Sequence, residues 1–289
     1  MLVTGHVEPG KNLFYKERIK MKTWISIVLL AASSSAFAWT QTAPLPLEKC
    51  AVHNPYGAPR AGKAVTPICR RAYYVGYDAA AKIPNHVTYT LTPANALGCW
   101  PRTNAFVADA SVPGGPRPDD YAGTGYDKGH AAPDGDLSWD EQVEYESFLM
   151  TNMFPQLGGL NRGIWKLLET SIRGWAVQTN QTYNIYVGAV YDTATDKKIG
   201  NGVVVPTAFY KIVVNQNTKQ MAGWYFKHEG GQGNDLTKVR ASIAQIQQKA
   251  GIAFGFPAGA QELPVGGEWK VDFGALTNAK RAKCKGAAD

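Results

Sequence analysis

The chain has no apolar run long enough to cross a bilayer, which needs roughly 20 residues. Its one marked hydrophobic stretch, Trp24 to Ala32, is too short. Neither a Gly-x-Ser-x-Gly elbow nor a His-Glu-x-x-His motif occurs, so two common signatures of secreted ester and peptide hydrolases are missing. Cysteine is scarce, four in 289 residues, and no two stand at the Cys-x-x-Cys spacing of a zinc or redox motif. There is no internal repeat, heptad pattern or low-complexity tail, and a single domain is the simplest account. A paired-Asp stretch at Asp134 and Asp136 lacks the rest of an EF-hand loop and reads as turn residues.

What is present begins with a leader. Lys22 supplies a short charged region after Met21, Trp24–Ala32 an apolar one, and Ala36-Phe37-Ala38 a cleavage site before Trp39. Met21–Ala38 therefore reads as a signal peptide, in preference to a folded helix. The polar residues 1–20 read as an over-extended translation start or a charged leader. Residues 39–289 would be the mature chain, periplasmic or secreted and free of membrane. Removing the leader's five basic and two acidic residues from the totals of 30 and 23 leaves net +4, a mild excess compatible with a polyanionic partner. Cys50, Cys69, Cys99 and Cys284 stay in the mature part, and an even count behind a signal suggests two disulfides. Of three possible pairings, Cys50–Cys69 with Cys99–Cys284 is favoured, the first closing a short loop and the second tying down the tail.

Residues 39–66, rich in Pro and Gly, read as an irregular arm. Alternation predicts a half-buried strand at 87–92. Further strands are expected at Tyr183–Tyr191, Val203–Val205, Phe209–Val214 and Met221–Lys227. The run 113–125 reads as a surface loop. Helices are expected from Ser138 as N-cap, with Glu141 at N3, to about Met150; over 162–178; and over Leu236–Ala250, ended by Gly251. Strands and helices do not alternate strictly, which points to an α+β fold with a mainly antiparallel sheet flanked by helices.

Three ordered blocks carry the chemistry. They are Asp127-Lys128-Gly129-His130-x-x-Pro133, Asn152-x-x-Pro155-Gln156, and Asn161-x₃-Trp165-x₃-Glu169-x₃-Arg173. Hydrolysing a phosphodiester requires an activated water, charge stabilisation on the phosphorane-like transition state and help for the departing oxygen. A histidine suits the first task and a divalent cation the others. Mg²⁺ keeps several waters and needs few protein ligands, so one Asn oxygen is a credible anchor.

The three blocks resemble the DNA/RNA non-specific endonuclease family of the ββα-metal, or His-Me finger, nucleases, from roughly Cys69 to Phe256. The resemblance implies a ββα-metal motif and a Mg²⁺-dependent endonuclease cutting DNA and RNA through phosphate contacts; the sequence leaves open whether Mn²⁺ or Ca²⁺ could replace Mg²⁺. It implies His130 as general base, Asn161 as the direct metal ligand and Glu169 as the acid that steadies a metal-bound water. Asn152 is then a support for the active-site geometry, and Arg102 and Arg173 meet the scissile phosphate or developing charge. Where the family usually carries Arg, this chain has Lys128, which keeps the charge but loses the planar fork. Activity is expected to survive, at a reduced level.

On its own each residue has a duller reading. Asn161 would be a helix N-cap, and Glu169–Arg173 a helical ion pair. Asp127 is expected to hold the turn or a neighbouring side chain. His53, His86 and His228 have no partner visible in the sequence. Trp100, Trp139, Trp165 and Trp224 could stack bases, yet they fit apolar stripes and strands and are expected in the core. The alternative function is a non-catalytic nucleic-acid-binding protein on the same fold.

Overall fold

Runs rich in Val, Ile, Tyr and Phe build the frame, as their preference for a pleated, half-buried surface requires. The computed structural model describes residues Thr40–Lys285, so the expected signal peptide lies outside the described residues. Its principal strands are β1 (Thr66–Cys69), β2 (Tyr74–Asp78), β3 (Ile83–Leu91), β4 (Tyr126–His130), β5 (Met153–Leu157), β6 (Tyr183–Val190), β7 (Ala208–Asn215), β8 (Gln220–Lys227) and β9 (Gln261–Glu262). Seven form one sheet in the order β9-β8-β7-β6-β3-β2-β1. All neighbours are antiparallel except the two-residue contact of β9 with β8. The fold is α+β, and four of the expected strands fall on β3, β6, β7 and β8. Val203–Val205 instead joins a two-residue ladder with Lys198–Ile199, off the main sheet.

The sheet is covered on both faces. Val87, Tyr89 and Leu91 of β3 share the large core with Leu168, Ile172 and Trp175. The other face of β3 is not open to water, contrary to the expected half-buried strand. There the hydroxyls of Thr88 and Thr90 donate to Asn54 Oδ1 and the Val52 carbonyl, each at 2.6 Å. The arm supplies this cover through its helical turn Leu47–His53. Further along, Tyr186 of β6 and Tyr210, Ile212 and Val214 of β7 pack on Ile243 and Ile246. The alternate residues Phe209 and Val213 face the large core, and so does Lys211 between them.

The principal helices are α1 (Asp134–Leu137), α2 (Glu141–Ser147), α3 (Lys166–Thr179), α4 (Ile243–Ala250) and α5 (Phe273–Lys283). Two expectations need correction. Ser138 does not cap a helix to Met150; it follows α1, and Asp140 caps the shorter α2, its Oδ1 accepting from Val143 N at 3.0 Å. Both residues are good caps, and the carboxylate adds favourable charge at the helix N-terminus. Leu236–Ala250 is likewise broken: a turn over Leu236–Val239 ends at Arg240, whose Nε donates to the Gly223 carbonyl at 2.9 Å. Ser242 then opens α4 with a capping box to Gln245. Gly251 ends α4 at φ +61°, a conformation glycine takes freely.

Cys50 is bonded to Cys69 and Cys99 to Cys284, the favoured pairing. Among the described residues no helix is long and apolar enough to cross a membrane.

Candidate active site

β4 and β5 stand apart as an antiparallel pair, with Lys128 opposite Pro155 and His130 opposite Met153. The Asp-Lys-Gly-His motif is therefore a strand, entered from the 113–125 loop. Glycine is needed at position 129 because a Cβ there would collide with the buried Gln156 carboxamide.

Asn152 sits behind this pair and clamps the backbone that leaves it. Its Oδ1 accepts from Ala132 N at 3.0 Å, while Nδ2 donates to the carbonyls of Ala132 and Ser147 at 2.9 and 2.8 Å. A fully buried amide with its donors and acceptor engaged fixes a segment more firmly than a lone contact. His130 is two residues before the clamped Ala132. Its ring packs edge-on against Phe148 at 5.0 Å and tilted against Phe106 at 5.7 Å, and Nε2 is buried without a hydrogen-bond partner. Burial in this aromatic pocket, aided by the charges of Arg102 and Lys211, pushes its pKa down to about 3. The imidazole is therefore neutral near pH 7, the state of a proton acceptor. The same two rings carry cations: Arg102 lies over Phe148 at 4.8 Å and Lys128 over Phe106 at 5.0 Å.

A cleft of about 350 Å³ opens at this point. Arg102, Lys128, His130, Asn161, Glu169 and Arg173 all line it, as do Pro133, Asp134, Gly135, Arg162 and Lys166. Six of the seven residues singled out in the sequence thus converge, and Asn152 buttresses them from behind. The lining holds five basic side chains against two acidic ones, a local excess suited to a polyanion.

Asn161 is not an N-cap. The helical path begins three residues earlier, at Gly158, and Asn161 opens a wide π-type turn, Asn161–Trp165, kinked at Gly163 (φ −98°, ψ −119°). In an unbroken helix, residues eight apart differ by roughly 80° around the axis. The wide turn breaks that register, and Asn161 and Glu169 line one cleft. Asn161 Nδ2 donates to Asp127 Oδ2 at 3.0 Å, which leaves the side-chain oxygen for a cation. Asp127 also pairs with Arg162 at 3.2 Å, so it holds neighbouring side chains, as expected. Among the described residues no cluster of three or more His, Cys, Asp or Glu is arranged to hold a metal. One amide oxygen with one nearby carboxylate fits a hard, largely hydrated cation such as Mg²⁺.

Glu169 and Arg173 do not pair with each other. Glu169 Oε1 lies 3.4 Å from Lys211 Nζ, and Arg173 Nη1 donates to Asp136 Oδ1 at 2.7 Å. Asp136 also accepts from Tyr89 Oη at 2.8 Å; it is a buried anchor and not a turn residue. Burial pushes Glu169 up and Lys211 down, and each charge opposes the other's shift. Arg102 Nη1 is held by Asp134 Oδ2 at 2.8 Å.

The profile of the family described as DNA/RNA non-specific endonuclease matches residues 52–260. The chain belongs to that family. A nuclease of Nostoc sp. is 31% identical over 220 residues, covering 70% of this chain and 78% of that protein. The nuclease of Serratia marcescens is 26% identical over 242 residues, covering 79% and 86%. The fold matches a chain in the crystal structure of the EndoG/EndoGI complex, with TM-score 0.64, 24% identity, and coverage of 74% of this chain and 93% of that one. Family members of this kind are hydrolytic endonucleases, and the site lies inside the matched span.

Sequence reasoning missed several members of the site. Lys211 had a visible signal, a single lysine within the apolar run Phe209–Val214. Asp136, Phe106 and Phe148 had none, since their partners are remote in the chain. The other histidines do have partners: His53 with the Arg71 carbonyl, His86 with Asn85, and His228, whose Nε2 accepts from Leu157 N at 2.8 Å. Trp165 and Trp224 are core residues as expected, but Trp100 and Trp139 are exposed.

Proposed function

We propose that this chain is a secreted or periplasmic endonuclease, residues 39–289 forming its nuclease domain, that uses one divalent cation to cut DNA and RNA without regard to base sequence. The convergence of His130, Asn161, Glu169, Arg102, Arg173 and Lys128 on one basic cleft carries this reading. Two disulfides support an oxidising compartment.

Asn161 would hold the cation, Mg²⁺ by its donor chemistry with Mn²⁺ as a substitute, and Glu169 would steady it through water. When bound, the cation supplies positive charge against the phosphoryl and leaving oxygens. His130, kept neutral by its aromatic pocket, accepts the proton of the attacking water at its ring nitrogen. Arg102 and Arg173 present fixed charge to the phosphate, each pre-set by a carboxylate, Asp134 and Asp136. Lys128 adds charge without bidentate geometry. Asn152 keeps the His130 segment in place. Recognition through phosphates carries no direct base information, which accounts for non-specific cutting.

Supercoiled plasmid with Mg²⁺ tests the reading. Wild type nicks it and EDTA stops nicking, while His130→Ala folds with an unchanged melting profile and is inactive. Asn161→Ala weakens Mg²⁺ binding in calorimetry without nucleic acid. Binding without metal-dependent nicking by the wild type would instead make the protein a non-catalytic nucleic-acid binder.

A further inference from the structure

The chain buries Trp165, Trp175 and Trp224 completely or nearly so, yet leaves Trp100 and Trp139 at 38% and 40% exposure. Among the described residues neither exposed indole stacks on another ring. The two belong to adjoining segments. Trp100 N donates to the Ser138 carbonyl at 2.7 Å, and Gly98 packs so tightly on the Ser138–Trp139 backbone that no Cβ would fit there. Both segments lead straight into the cleft: Arg102 follows Trp100 by two residues, and Asp134 and Gly135 begin the helix that ends just before Ser138.

A third element is locked to this place. Helix α5 contains no acidic residue and ends in Lys280, Arg281 and Lys283, all exposed. Basic residues in a last turn merely complement the helix dipole, so they would not by themselves call for a ligand. Here, however, the helix end is fixed beside the indoles by the Cys99–Cys284 bond, Cys99 being the neighbour of Trp100. Lys280 lies four residues before Cys284 and so shares its helix face. Lys280 is also near enough to Arg173, Asp134 and Asp136 to feel their charges. At its start α5 is held by Gln178 of α3, which accepts from Asp272 N at 3.0 Å and donates to its carbonyl at 2.6 Å.

We propose that Trp100, Trp139 and the basic end of α5 form a docking platform that continues the cleft and takes single-stranded nucleic acid, stacking unpaired bases on the indoles and phosphates on the lysines. Exposed aromatics beside fixed positive charge are the general means of holding unpaired strands without sequence choice. Paired bases in a duplex offer no free faces to an indole. The platform rests on the endonuclease reading of the cleft and adds a substrate preference to it.

The test is fluorescence anisotropy of a labelled oligo-dT and of a labelled duplex, titrated with the full-length protein in EDTA so that nothing is cut. The double variant Trp100→Ala/Trp139→Ala is expected to bind oligo-dT about tenfold or more weaker, with duplex affinity little changed. Trp100→Phe/Trp139→Phe retains a stacking face and restores most of the loss. Lys280→Gln/Lys283→Gln flattens the salt dependence of oligo-dT binding. Hydrolysis of a small chromogenic phosphodiester with Mg²⁺ stays at the wild-type rate in the tryptophan variants. Equal oligo-dT affinity in wild type and the alanine double variant overturns the platform alone. A wild type that binds neither probe also overturns the platform, and if it fails to nick plasmid with Mg²⁺ as well, the endonuclease reading falls with it.

Discussion

The Lys211 ammonium, wholly buried on the interior strand β7, lies 3.4 Å from the Glu169 carboxylate on helix α3. It also reaches the Ala131 carbonyl at 3.4 Å and sits 4.3 Å from the centre of the Trp165 ring. One side chain thus touches the carboxylate, the segment after His130 and the start of α3. Removing one member of a buried pair leaves the other uncompensated, at a cost of about 3–5 kcal/mol. Lys211→Met is expected to lower the melting temperature by about 10 °C and to depress nicking. Adding Glu169→Gln should make the double variant more stable than the sum of the single losses. An unchanged melting temperature in Lys211→Met would show that the pair contributes nothing.

Because burial and two nearby cations hold His130 at about 3, the acid limb of kcat/KM should lie well below pH 6.5. Arg102 is one of those cations. Arg102→Gln removes its repulsion and lets the His130 pKa rise, so the limb should move to higher pH even as the rate falls. A rate loss with an unmoved limb would remove His130 as the titrating base.

The fold itself should weaken in acid. His86 is pushed down to about 4 and His130 to about 3, both by burial first. Below pH 6.5 the unfolded chain gains protons that the folded chain refuses, so stability declines from pH 6.5 toward pH 4. His86 alone should account for about 3 kcal/mol by pH 4, since a tenfold change in proton affinity corresponds to about 1.4 kcal/mol. Urea midpoints measured across that window should fall for wild type and fall less steeply for His86→Gln. Parallel curves would count against a neutral His86.

The Cys99–Cys284 bond closes a span of 185 residues. Replacing both by Ser should lower stability by about 2–5 kcal/mol and speed amide exchange in α5. Unaltered exchange there would mean that packing of α5 on α3 suffices.

The grouping of the candidate residues was legible because they stand in short, ordered blocks: His130, Asn161 and Glu169 line one cleft across 39 residues of chain. What could not be read was pairing between distant segments. Glu169 and Arg173 stand at ideal helical spacing, yet each finds its partner elsewhere, 42 and 37 residues away. In the fold, β7 and β8 were plain from their composition, whereas β4 and β5 carry Asp, Lys, Gly and Pro and reveal themselves only through each other. Ser138 and Asp140 are both competent caps, and nothing in the local pattern chooses between them. Trp100 and Trp139 look like their buried counterparts in any hydropathy pattern.

The kink at Gly163 sets a limit on how far this protein can be tidied. Deleting one residue between Asn161 and Trp165 would give a smoother spiral and swing the Asn161 amide through about 100°. Such a chain would melt later and cut nothing. Random stabilising searches across these five residues should return sturdier chains in which Asn161 no longer faces the cleft, since the wide turn runs against the helix's own preference.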